Sequence, residues 1–272
     1  MSCPARRIRC GTVIDVRRRV SALLLVPCLL ASACGASEVT APATSAAPPS
    51  TPATTAPPAR VVVLDPGHNG GGAARPAEIN RLVPAGRGRT KPCNTTGTST
   101  NAGYPEHAFT WDVAQRIGAA LGAKGITVVF TRRDDSGAGP CVDERAATGN
   151  AANADAVVSI HADGSNSAGA HGFHVAYSSP PLNDAQGEPA EKLARTLRNT
   201  LRDKGFSTAN YLGADGLSPR DDLAGLNLST RPAALVECGN MRDATEAAAM
   251  SSEDGRRRYA TAIAAAVEAY LG

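Results

Sequence analysis

From Arg60 onward the chain alternates short apolar runs with longer stretches of helical pattern, in which apolar residues recur every three or four positions. Val61–Leu64, a β-branched run, and Ile126–Phe130, Ala156–Ile160, Phe173–Tyr177 and Ala233–Val236 are short and largely apolar, and read as strands. Glu106–Lys124 carries Phe109, Val113, Ile117, Ala120 and Leu121 at helical spacing, with Pro105 suited to its first position and Gly125 to its stop. Val142–Ala154, Glu188–Lys204 and Gly255–Leu271 complete the predicted helices; Leu193, Leu197 and Leu201 form the apolar stripe of the middle one. Strands alternating with helices predict an α/β fold, a single domain over 60–272 with a mostly parallel sheet flanked by helices. Residues 69–104 and 206–230 have no apolar period. Loops of that length inside a domain are commonly functional, and these two are expected to wall a groove.

The first 59 residues cannot belong to that core. Arg6–Arg19 is positively charged, Val20–Leu30 is an apolar run of 11 residues, and Ala31-Ser32-Ala33 is a small-residue cleavage site. This predicts a secretory signal over 1–33, too short to span a bilayer. Leu30-Ala31-Ser32-Ala33-Cys34-Gly35 resembles a bacterial lipobox, with Ala31 where that pattern prefers Leu. Cys34 is therefore either a lipid anchor or the start of a freely secreted chain. Residues 35–59 hold six Pro and one charge, so 34–59 reads as a linker without a core. The expected location is the cell envelope, the periplasm or the exterior.

The whole chain has 28 basic and 25 acidic residues, but 22 and 23 of these fall in 60–272. The leader supplies the excess, which leaves no basic face for nucleic acid. No separate wall-binding segment is visible, and the chain is read as a monomer. Cys238 lies in an apolar strand, on the face opposite Glu237, and is predicted to be a buried thiol. Cys93 and Cys141 lie in Gly- and Pro-bearing loops. In an exported protein a bridge between them is expected, closing about 48 residues and tying down the loop before Glu106.

Ligands of open α/β sheets sit beyond the carboxyl ends of the strands. His68 follows the first strand, in Leu64-Asp65-Pro66-Gly67-His68; His161 and Glu237 end two others; Glu106 stands near the start of the first helix. Two imidazoles and a carboxylate make a catalytic zinc shell, and a second carboxylate off the metal suits a general base. Position alone leaves plainer roles open. His68 also suits a turn, His161 a strand end, and Glu106 a helix N-terminus. Glu237 is harder to explain so, because a carboxylate beside Leu235, Val236 and Cys238 is costly to bury without a partner. His107, His171 and His174 are competing ligands, the last two read as groove-edge or structural residues.

Five segments, in order, resemble the zinc-dependent N-acetylmuramoyl-L-alanine amidases of bacterial cell-wall turnover. They are Val63-Leu64-Asp65-Pro66-Gly67-His68; Glu106 opening a helix; Phe130-Thr131-Arg132 with Asp134; Arg145 through Asp155 to Ser159-Ile160-His161-Ala162-Asp163; and Pro232 through Glu237 to Asn240. The resemblance spans about 61–271. It implies a mixed sheet of about six strands, Zn2+ bound by His68, Glu106 and His161, and Glu237 as the catalytic carboxylate. The implied substrates are peptidoglycan or muramyl peptides, cut between muramic acid and L-alanine. Asn69 stands where the family usually has Gly, Asp163 where it has Asn, and Cys238 where Leu is common. Asp65 or Asp163 is a candidate to orient a ligand imidazole. A binding lipoprotein without turnover, or a zinc peptidase acting within the stem peptide, are the alternatives.

Overall fold

The computed structural model describes residues 59–272; the predicted signal, most of the linker and Cys34 lie outside the described residues. Strands β1 (Val61–Pro66), β4 (Thr127–Phe130), β5 (Ala156–Asp163), β6 (His174–Ser178), β7 (Leu217–Arg220) and β8 (Ala233–Asn240) form one six-stranded sheet, in the order β4-β1-β5-β8-β6-β7. The first four in that order are parallel; β6 pairs antiparallel with β8 and parallel with β7. The sheet is thus mixed: four of the five predicted strands form its parallel block, and the fifth, Phe173–Tyr177, falls on β6, which runs antiparallel to β8. Helices α2 (Glu106–Gly122), α3 (Val142–Ala151), α4 (Glu188–Asp203) and α7 (Glu253–Leu271) fall on the periodic stretches. Among the described residues no helix is long and apolar enough to cross a membrane.

Strand alternation divides the side chains between two faces. Val62 and Leu64, Val158 and Ile160, and Ala234, Val236 and Cys238 join Phe109, Val113 and Ile117 of α2, Leu193 and Leu197 of α4, and Ile263 and Val267 of α7 in the main core. Each helix buries one stripe at three- and four-residue spacing there. Val63, Val157, Ala176 and Ala233 point the other way, into a smaller cluster with Leu226. Asp65, Ser159, His161, His174 and Glu237 share the parity of that second face.

Both aperiodic stretches are built rather than loose. Residues 69–104 hold α1 (Pro76–Ile79) and a hairpin of β2 (Leu82–Pro84) and β3 (Thr90–Pro92). The expected Cys93–Cys141 disulfide is formed, and packs with Val83 and Val142. Residues 206–230 contain β7 and α5 (Ala224–Asn227). The hairpin is fastened to this second stretch: Asn227 Nδ2 donates to Ala85 O (3.0 Å), Lys91 Nζ to Asp222 O (3.4 Å), and Arg89 to Asp221 O. A further short helix, α6 (Ala244–Ser251), is capped by Asp243, whose carboxylate accepts from Thr245 N and Glu246 N.

Candidate metal centre

The carboxyl ends of β1, β5 and β8 lie side by side, because β1 and β8 both pair with β5 in parallel register, His161 opposite Glu237. His68 leaves the end of β1 in a sharp turn with φ of 61°, a conformation uncommon for a residue with a Cβ. Two buried guanidiniums hold that turn. Arg145 donates to Pro66 O (2.8 Å) and His68 O (2.9 Å), and Arg132 Nε to Pro66 O (2.9 Å). Arg145 also meets Asp65 Oδ1 at 2.8 Å, while Thr131 and Ser159 each donate to that carboxylate at 2.6 Å. Burial alone would raise the Asp65 pKa, but Arg145 and the two hydroxyls overrule it and hold it at about 2. Gly67 is required here: a Cβ at this position would be driven into the His161 ring.

Glu106 opens α2 and stands between the two imidazoles. Its Oε2 lies 3.1 Å from His68 Nε2 and its Oε1 lies 3.1 Å from His161 Nδ1. The backbone N–H groups of Thr98 (2.9 Å) and Ala162 (3.1 Å) donate to the same two oxygens. The ring centroids of His68 and His161 are 4.8 Å apart, edge to face. Burial pushes the Glu106 pKa up, yet the two imidazoles outweigh it and keep the carboxyl below its usual range. Burial likewise disfavours a charged His68, and the Glu106 carboxylate wins, raising the His68 pKa above its ordinary value. His68 Nδ1 is engaged by Thr95 O at 2.9 Å, which leaves Nε2 facing the site.

One donor atom from each of His68, Glu106 and His161 falls within 4.8 Å of the others, and among the described residues this trio is a set able to hold a metal ion. Two neutral-imidazole nitrogens and one carboxylate oxygen match the donor preference of zinc. Glu237 faces the same cavity, of about 330 Å³, which the trio lines with Asp163. Its Oε2 is sealed from water and has no hydrogen-bond partner. Desolvation, then the charges of Asp163 and Glu106, push the Glu237 pKa well above its ordinary value, with only Arg220 opposing. Lys91, Pro92, Asn94 and Thr95 wall the cavity from the first long stretch, and Leu223–Leu226 from the second.

The four site residues predicted from sequence therefore meet in one place. The competing histidines do not join them: His107 pairs with Asp135 (2.7 Å), His171 Nδ1 meets Gly169 O (2.9 Å), and His174 meets Asp163 (3.0 Å). Neither candidate for orienting a ligand imidazole takes that part. Asp65 is occupied by Arg145, Thr131 and Ser159, Asp163 by His174 and Tyr211. The backbone carbonyl of Thr95 does it for His68 instead. A carbonyl leaves no mark in a sequence, so this partner had no signal to find. Cys238 is buried on the face opposite Glu237, as predicted, and its thiol pKa is pushed up by burial.

The family model Amidase_3, described as N-acetylmuramoyl-L-alanine amidase, matches residues 62–269. Over 211 residues the chain is 51% identical to the N-acetylmuramoyl-L-alanine amidase Rv3717 of Mycobacterium tuberculosis, covering 78% of this chain and 86% of that one. The crystal structure of the N-acetylmuramyl-L-alanine amidase Ami1 from Mycobacterium smegmatis aligns with a TM-score of 0.76 at 51% identity, covering 78% of this chain and 97% of that one. The apo form of Ami1 from Mycobacterium abscessus aligns equally, TM-score 0.76 at 52% identity, covering 78% and 99%. With the fold, the donor trio and these likenesses together, the chain belongs to the Amidase_3 family of N-acetylmuramoyl-L-alanine amidases.

Proposed function

We propose that this protein hydrolyses the amide bond between N-acetylmuramic acid and L-alanine in peptidoglycan or its muramyl-peptide fragments, with zinc held by His68, Glu106 and His161. The observation that carries this reading is the convergence of those three donors beside the unpartnered carboxyl of Glu237. What zinc supplies when bound is Lewis acidity, toward a water and toward the scissile carbonyl. Glu237 takes the proton of the attacking water and returns it to the alanine nitrogen. Amines leave poorly unless protonated, so the second transfer matters as much as the first. Burial and neighbouring carboxylates raise the proton affinity of the Glu237 carboxylate, which strengthens it as the base that takes the water's proton. His68 and His161 must stay neutral to bind the metal, and the Thr95 carbonyl holds His68 in the tautomer with Nε2 free.

The leader directs export, residues 34–59 form a spacer, and 60–272 is the catalytic unit, placing the site where peptidoglycan is. Cys34 is the position at which a lipid would tether it. The test is the zinc content of the protein from residue 60 onward, with and without His161→Ala, followed by product analysis on muramyl dipeptide. About one zinc per chain, lost in the variant, and release of the alanine amine are expected. No zinc in either protein after metal-replete refolding would move the reading to a non-catalytic binding protein; newly freed termini further along the stem peptide would make it a peptidase.

A further inference from the structure

The stretch after α4 reaches the cavity by a route the mechanism above leaves unused. Residues 207–210 run beside 171–173, tied by Phe173 N to Ser207 O (2.9 Å), Ala209 N to Phe173 O (2.7 Å) and Asn210 N to His171 O (3.2 Å). Gly172 makes this approach possible, since its φ is 95° and a Cβ there would be driven into the Thr208 carbonyl. The path delivers Tyr211 to the edge of His174, with ring centroids 6.4 Å apart at 80°. Both rings then donate to one oxygen: Tyr211 OH lies 2.9 Å and His174 Nε2 3.0 Å from Asp163 Oδ2. His174 is 1% exposed, so this support is anchored in the sheet.

Among the described residues Asp163 Oδ1 receives no donor, although the side chain lines the cavity with His161 and Glu237 and is 31% exposed. A carboxylate has about four acceptor positions. With both protein donors gathered on Oδ2, the other oxygen is left for a donor arriving through the cavity. Asp163 offers acceptors only; an Asn in its place would present one donor and one acceptor. The occupant must therefore carry an N–H or O–H.

Resting on the amidase reading, we infer that Asp163 Oδ1 accepts the N–H of the scissile amide, and that Tyr211 and His174 are the positioning residues that aim it. Asp163 gains and loses no proton. Water adds across the C–N bond, the proton that reaches nitrogen comes from Glu237, and the products are a carboxylic acid and an amine. Holding the N–H from one side leaves the other face of the nitrogen to Glu237, which lines the same cavity.

The test compares two substrates on the zinc-loaded protein: muramyl dipeptide, and its ester analogue with oxygen in place of the scissile N–H. Asp163→Ala is expected to lower kcat/KM on the amide by about 10- to 100-fold, the effect of one hydrogen bond to a charged group, and on the ester by about threefold or less. Tyr211→Phe, which leaves the fold's interior intact, is expected to give a smaller loss, again confined to the amide. Zinc per chain should stay unchanged in both. Equal losses on the two substrates would make Asp163 merely structural and overturn the inference, as would an undiminished amide rate. Wild-type protein that leaves muramyl dipeptide intact would overturn the amidase reading, and this inference with it.

Discussion

Glu237 lines the cavity beside the donor trio, and its buried Oε2 has no protein donor to hold it ionised. Glu237→Gln keeps the shape and removes the proton traffic. It is expected to lower kcat by roughly 10²- to 10⁴-fold with zinc still at about one per chain. Zinc lost in parallel with activity would make Glu237 a ligand instead. The donors themselves predict a pH dependence. The Glu106 carboxylate stabilises a proton on His68 in the metal-free site and raises its pKa above the ordinary value of 6.5. That proton competes directly with the metal. Zinc affinity should therefore weaken as pH falls toward and through 6.5, beginning earlier than an ordinary imidazole would dictate. Competition titrations with a chelator across that range would read it, and a flat affinity would contradict the ion pair. The four candidate residues were legible in the sequence through the five ordered segments that resemble the amidases; position alone left a turn, a strand end and a helix N-terminus open to His68, His161 and Glu106. Asp163, Tyr211 and Thr95 were not legible in these roles, because each depends on what the fold sets opposite it.

At the scale of elements, the turn from β1 to His68 is shaped by charge. The Asp65 pKa of about 2, against 3.8 ordinarily, means the folded state prefers the ionised form. Its contribution, about 2 kcal/mol, is fully present above pH ~4 and fades as pH falls toward ~2. Urea titrations of wild type and Asp65→Asn over that range should show the extra acid loss in wild type alone; parallel curves would assign it to another carboxylate. Elements with a strong local pattern were readable: α2, α4 and α7 bury stripes of helical spacing, and β1, β5 and β8 open with short continuous apolar runs. β2, β3 and β7 were not. Leu82-Val83-Pro84, Thr90-Lys91-Pro92 and Leu217-Ser218-Pro219-Arg220 are short and each contains Pro, which cannot complete a ladder. β2 and β3 pair with each other and are tied down by the Asn227, Arg89 and Lys91 contacts, and β7 is held by parallel pairing with β6, all partners set by the fold.

For the molecule as a whole, the Cys93–Cys141 bridge joins the hairpin to the start of α3 across 48 residues. In the loop-entropy account its removal should cost about 4 kcal/mol of stability. A Cys93→Ser, Cys141→Ser double variant would report this in urea, and an unchanged midpoint would show that packing of Val83 and Val142 suffices alone. Thr95, two residues past Cys93, holds His68, so zinc affinity of the same variant is a second readout of how far the bridge steadies the site.

The order of the strands and helices with a strong local pattern, the α/β class and the residue types of the candidate metal site were determined by the sequence itself, because period and side-chain chemistry are local properties. The reversal of β6 and β7, the hairpin fastened over the second face and the pairing of Asp163 with His174 and Tyr211 were decided only by the tertiary structure. Each requires residues tens of positions apart to meet. No period in the chain encodes such a meeting; it is set by packing the two faces of one sheet.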